Sequence, residues 1–94
     1  MVAVYMVCNR RNGVIYIGVT SDLIDRIWHH RQGTYGGFTR KWGCKRLVYF
    51  EEFELISDAI HREKCLKSYR RKNKINLIEN ENPDWLDLWF KLVT

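Results

Sequence analysis

Apolar and polar positions divide the chain into short runs. Residues 3–8 are apolar at nearly every position, with β-branched and aromatic types prominent, and residues 14–19 repeat that character after Asn9-Arg10-Arg11-Asn12-Gly13. Two such runs around an Asn-Gly pair predict an antiparallel hairpin, with enough polar residues for a loop longer than a two-residue turn. In the second run Tyr16 and Gly18 share one face while Ile15, Ile17 and Val19 share the other. A glycine inside a strand packs nothing of its own, so Gly18 predicts a bulge or the close approach of another backbone or a ligand.

The period then changes. Thr20-Ser21-Asp22 offers N-caps, and Leu23, Ile24, Ile27 and His30 or Arg31 recur at helical spacing as far as Gly33. Asp22, Arg26 and His30 fall along one flank of that helix, with Leu23 and Ile27 turned to the core. Residues 33–43 hold four glycines among aromatics and cations and predict an irregular loop. Leu47, Val48, Tyr49 and Phe50 mark a third strand over residues 46–53. Ser57 is a candidate N-cap for a helix reaching Arg71 or Lys72, with Ala59, Ile60, Cys65, Leu66 and Tyr69 as core candidates. A second short helix over residues 72–80 would use Ile75, Leu77 and Ile78, and Pro83 suits the first position of a last helix carrying Trp85, Leu88, Trp89 and Leu92. The expected fold is α/β, a small three-stranded, mostly antiparallel sheet flanked by helices in the order β-β-α-β-α-α-α. With 94 residues and no repeat or linker, one domain over residues 1–94 is expected.

Composition narrows the function classes. No run approaches the ~20 apolar residues of a membrane span, and residues 1–8 are too short and uncharged for a signal peptide, so a cytoplasmic protein without membrane association is expected. Cys8, Cys44 and Cys65 are odd in number and contain no CxxC pair, which predicts free thiols. Sixteen Lys and Arg against eleven Asp and Glu give a net charge of +5. The excess is concentrated: residues 10–46 hold eight basic and two acidic residues, and residues 61–76 hold seven basic residues and Glu63. Two basic blocks that a fold can bring together suit a polyanionic partner.

Glycine-rich nucleotide loops, HExxH and GxSxG are all missing from the sequence. What stands out instead is Tyr5 and Tyr16 on adjacent strands, Arg26 and His30 one turn apart, and Glu63 on a long basic helix. That pattern resembles the GIY-YIG nuclease superfamily. The second half of its signature reads Tyr16-Ile17-Gly18, and the first half reads Ala3-Val4-Tyr5 in place of Gly-Ile-Tyr. Leu23, Arg26, His30 and Gly33, the Leu47-Val48-Tyr49-Phe50-Glu51 strand, Ala59, Glu63, the basic helix to Lys74 and Asn82-Pro83-Asp84-Trp85 resemble its small stand-alone bacterial branch, the UPF0213 proteins.

The resemblance implies a metal-dependent endonuclease. Tyr5 and Tyr16 would be paired active-site tyrosines, with Tyr16 the general base or water-orienting group and Gly18 keeping the strand open beside them. Arg26 would contact the scissile phosphate, His30 would bind phosphate or move a proton, and Glu63 would hold a single Mg²⁺ or Mn²⁺. Asn76 and Asn82 compete for a further asparagine, the Asn-Pro context favouring Asn82. Hydrolysis of a phosphodiester needs an aligned water and a cation against the charge on the phosphoryl oxygens, and a phenol serves as base only when a cation favours its phenolate. A lone carboxylate holds Mg²⁺ weakly unless a substrate phosphate shares it. Nucleic acid is the expected partner, DNA ahead of RNA, with a structured or branched substrate and a monomeric protein as the default. Arg40, Lys41, Lys45 and Arg46, extended by Lys67, Arg70, Arg71 and Lys74, are the expected phosphate contacts, and Tyr35, Phe38 or Trp42 would stack on a base or fold back over the core. The alternatives are a non-catalytic nucleic-acid-binding module of the same fold and a small scaffold that pairs through Trp85 and Trp89.

Overall fold

In the computed structural model, which describes residues 1–34 and 36–94, the strands β1 (Val2–Cys8), β2 (Ile15–Thr20) and β3 (Arg46–Phe53) form one antiparallel sheet in the order β2-β1-β3. The helices are α1 (Leu23–Gln32), α2 (Phe38–Trp42), α3 (Ile56–Lys67), α4 (Arg71–Glu81) and α5 (Trp89–Val93). Because β1 is central and covered on both faces, residues 3–8 are all buried, which is why that run is apolar without alternation. Alternation survives in where the side chains go. Val4, Met6 and Cys8 join Ile17, Val48, Ala59, Leu66, Ile78 and Trp85 in one core cluster, while Ala3, Tyr5 and Val7 join Leu23, Ile27, Cys44 and Leu47 in the other. Helices α3 and α4 therefore cover one face of the sheet and α1 the other.

The ladder slips where Met6 pairs with Tyr49 but Val7 pairs with Leu47. Val48 is the extra residue, so Val48 and Tyr49 both serve the α3 side, and Leu47 and Phe50 both serve the α1 side. The irregularity thus lies in β3, and Gly18 pairs with Tyr5 in an unbroken ladder. Between β1 and β2, the Asn9 carboxamide accepts from Val14 N–H at 2.9 Å and Asn12 takes φ 55°, the longer loop that the polar run allowed.

Several boundaries differ from the sequence reading. Residues 38–42 coil into a short helix, framed by Gly37 at φ 76° and Gly43 at φ 65°. Helix α3 begins at Ile56 without a side-chain cap, so Ser57 is inside it, and it stops at Lys67 rather than Arg71 or Lys72. Ile24 and Ile60 face outward, 45% and 39% exposed. The helix expected from Pro83 does not form there. Trp85 instead turns to φ 55° with its ring wholly buried and its indole N–H on Glu79 at 2.8 Å, and helix resumes only at Trp89. A buried indole outweighs the local preference of a Pro-Asp start, because a side chain of this size removes more apolar surface from water than one short turn can offer.

Polar ties fasten the layers. The Arg62 guanidinium donates to both Glu51 oxygens at 2.9 and 3.0 Å, and Tyr49 Oη donates to the same carboxylate. Burial opposes ionisation of Glu51, but the hydrogen bonds from Arg62 and Tyr49 outweigh it, and the pKa lies below the usual carboxylate value. Arg71 donates to the carbonyls of Asn12 and Gly13, both at 2.7 Å, pinning the start of α4 to the hairpin loop. The three cysteines are free thiols, and burial pushes Cys8 up to about 11.

Candidate active site

The sheet and α1 build one cleft between them. Tyr5 comes from the central strand, Tyr16 from the neighbouring edge strand, and both point to the α1 side. Tyr5 lies opposite Gly18, and a Cβ at Gly18 would stand 2.4 Å from both Cζ and Oη of Tyr5. Glycine is required here by contact, since the backbone is not in the left-handed region. Neither a bulge nor another backbone accounts for Gly18: the Tyr5 side chain crosses the bare strand there and reaches His30 on α1.

On α1, Asp22 caps the first turn by accepting from Asp25 N–H at 3.2 Å, and Gly33 ends the last at φ 68°. Eight residues beyond the cap, His30 is buried and its Nε2 is 2.9 Å from Tyr5 Oη. The imidazole also packs against Tyr16, with ring centroids 6.0 Å apart. Burial, then the charges of Arg26 and His29, pull the His30 pKa down to about 4, so the ring is neutral at pH 7. Tyr5, Tyr16, Arg26 and His30, with Gly36, Phe38 and Thr39, line a cleft of about 260 Å³. Two larger recesses, of about 440 and 470 Å³, lie elsewhere, one lined by Val48, Phe50 and Leu92 and the other by Arg31, Lys45 and Asp87. Glu81, Asn82 and Lys91 also line the first, but neither recess is lined by a tyrosine or a histidine.

Tyr5, Tyr16, Arg26, His30 and Gly18 are therefore brought together. Glu63, on α3, is not among the residues lining this cleft; its carboxylate lies 3.3 Å from Lys67 Nζ, itself in an adjoining groove, and its side chain is 15% exposed. Lys67 and Lys74 line a groove of about 330 Å³ with Ile15, Tyr16, Ile17 and Phe38, so α3 and α4 meet the cleft through the walls made by Tyr16 and Phe38. Asn82 is placed elsewhere again. It is buried, its amide donates to Val48 O at 3.1 Å and Leu86 O at 2.9 Å, and its Oδ1 accepts from Leu86 N–H at 2.9 Å. Asn76 is exposed on α4.

The basic residues divide likewise. Arg40 and Lys41 are exposed on α2, Lys45 lines the recess beside Arg31, and Arg70 is exposed ahead of α4. Arg46 donates to Trp85 O at 2.9 Å and, like Arg71, ties backbone together. Phe38 and Trp42 belong to neither core cluster and are 46% and 45% exposed. Tyr35 lies outside the described residues. Thr39, buried at the cleft, carried no sequence signal, because a loop reading of residues 33–43 left its direction undefined.

Residues 1–76 match the family model of the GIY-YIG catalytic domain. The chain belongs to the GIY-YIG superfamily. Within it the relatives are UPF0213 proteins: one from Clostridium perfringens is 38% identical over 68 residues, covering 72% of this chain and 73% of the relative. A second, from Staphylococcus aureus, is 35% identical over the same length, covering 72% and 83%. The solution NMR structure of a UPF0213 protein from Bacillus halodurans superimposes with a TM-score of 0.54 at 30% identity, over 86% of this chain and 85% of that one. This places the GIY-YIG chain in the UPF0213 branch. The family match ends before Asn82 and includes both tyrosines, Arg26, His30 and Glu63. Among the described residues no helix is long and apolar enough to cross a membrane.

GIY-YIG proteins imply a divalent metal, and the donors here set its terms. Among the described residues no three His, Cys, Asp or Glu side chains gather as a ligand cage. Glu63, the carboxylate that the resemblance implies for the metal, lies 3.3 Å from Lys67 Nζ, and a lone carboxylate would leave most ligands of a hydrated Mg²⁺ to be supplied from elsewhere.

Proposed function

We propose that the chain is a metal-dependent endonuclease that hydrolyses phosphodiester bonds in nucleic acid, DNA ahead of RNA, and in structured or branched substrates. The observation that carries this reading is the convergence of two tyrosines, an arginine and a neutral histidine in one cleft of about 260 Å³. In this reading Arg26 holds a phosphoryl oxygen with its permanent charge. The Tyr5 hydroxyl is held by His30, and the neutral imidazole keeps Tyr5 oriented without adding a charge to the cleft. Tyr16, on the wall shared with the cationic groove, orients the attacking water, or accepts its proton when a bound cation holds the phenol as its phenolate. Glu63 would hold Mg²⁺, which supplies charge neutralisation at the phosphoryl oxygens when bound. Asn82 is assigned to the fold, because its amide is committed to Val48 and Leu86.

The test is cleavage of labelled duplex, single-stranded, flap, nicked and branched DNA, with matched RNA, at low salt. Mg²⁺- or Mn²⁺-dependent cutting that disappears in EDTA, in Tyr16→Phe and in Glu63→Ala is expected. One observation favours a second reading, a non-catalytic binding module: Glu63 is already paired with Lys67. Salt-sensitive binding without cutting, unchanged in Glu63→Ala, would establish that role instead. Of the two tryptophans a scaffold would use, Trp85 is wholly buried and only Trp89 keeps part of its surface exposed.

A further inference from the structure

Phe38 occupies a position that neither core packing nor the proposed chemistry explains. Its ring is nearly half exposed, belongs to neither core cluster and forms a wall of both the tyrosine cleft and the adjoining groove. The cleft carries Arg26 and the groove carries Lys67 and Lys74, and Phe38 with Tyr16 makes an aromatic edge shared by the two recesses. The Tyr16 and Phe38 ring centroids are 6.1 Å apart with planes inclined by 32°, and the Trp42 ring lies 6.4 Å from Phe38, inclined by 51°. Lys41 sits 5.6 Å from the Trp42 ring, and Arg40 is exposed on the same short helix. Glu63 pairs with Lys67, and Lys74 lines the same groove.

We infer that Phe38 is a stacking platform for an unpaired base, set between the phosphate contact at Arg26 and a neighbouring phosphate contact at Lys67 and Lys74. This inference rests on the nucleic-acid reading above and narrows its substrate to a strand with at least one base out of the duplex. A strand running from cleft to groove crosses Phe38, and a base rotated out of its pair meets an aromatic face there. A base held inside a duplex cannot turn to meet it. Alternating cations and aromatic faces are the arrangement by which proteins hold single strands without reading their sequence.

The test uses the full chain in EDTA, so that binding is read without cutting, with a single-stranded DNA oligonucleotide carrying 2-aminopurine and with the same sequence as a blunt duplex. Stacking on Phe38 is expected to change the 2-aminopurine emission on binding, and the single strand to bind about tenfold more tightly than the duplex. Phe38→Ala should lose about tenfold on the single strand and leave duplex binding unchanged, while Phe38→Tyr, which keeps a ring, should retain both. Lys67→Ala with Lys74→Ala should weaken both DNAs and flatten the salt dependence. The ring lies outside the core, so circular dichroism should show Phe38→Ala folded as the parent. Binding of both DNAs with no emission change, or an equal loss on both in Phe38→Ala, overturns the platform and leaves the nucleic-acid reading intact. Failure of the parent protein to bind either DNA overturns that reading, and this inference with it.

Discussion

Replacing Gly18 by alanine sets local propensity against tertiary contact. In an extended strand the exchange should stabilise, by about 0.5–1 kcal/mol, since glycine loses more backbone entropy on folding. Here the added Cβ would lie 2.4 Å from Cζ and Oη of Tyr5 and 2.9 Å from Cε1. Ordinary contact begins near 3.4 Å, so a rigid, wholly buried ring must move by about 1 Å. Overpacking of this kind costs about 1–3 kcal/mol, and displacement of Tyr5 Oη from His30 adds about 1 kcal/mol. The expected net loss is about 1–3.5 kcal/mol, which for a domain of this size lowers Tm by roughly 5–25 °C. Urea unfolding and a thermal melt read it directly. The cycle with Tyr5→Leu isolates the cause: without the ring, Gly18→Ala should cost little, giving a coupling of about 1–3 kcal/mol. A neutral or stabilising Gly18→Ala, or strictly additive costs, would refute the steric account of this glycine.

Two further outcomes are expected. His30 has a folded-state pKa of about 4, below the 6.5 of an unfolded histidine, so between those values the unfolded chain binds more protons. Its contribution is fully present above pH 6.5 and is lost as pH falls toward 4, with a limiting slope of about 1.4 kcal/mol per pH unit; urea midpoints at pH 7, 5.5 and 4.5 measure it, and His30→Gln should remove it. Asn82→Ala leaves the Val48 and Leu86 carbonyls and the Leu86 N–H without their partner and should cost about 2–4 kcal/mol in urea unfolding, with cleavage at a temperature where the variant is folded unchanged. A large loss of cleavage in folded Asn82→Ala would return this residue to the site.

The strands and the first helix were legible because their signals are local. An Asn-Gly pair between apolar runs, a cap at Asp22 and a stop at Gly33 act within a few residues of where they lie, and the structure follows them. The boundaries that differed answer to distant partners. Helix α3 ends before its basic continuation, and Trp85 abandons helical geometry because its ring reaches the core under α4. The short helix over Phe38–Trp42 hides between glycines that read as a loop. At the candidate site the sequence alone singled out the candidate residues, through the Tyr-Ile-Gly triplet and the family resemblance carried by Arg26, His30 and Glu63. Only the tertiary structure decided how they are grouped. Strand register lays Tyr5 across Gly18 and against His30, α3 pairs Glu63 with Lys67, which shares a groove with Tyr16, and the amide of Asn82 is taken up by the fold. Spacing along a chain sets the face on which a side chain emerges, but the neighbour it meets is set by the packing of elements far apart in sequence.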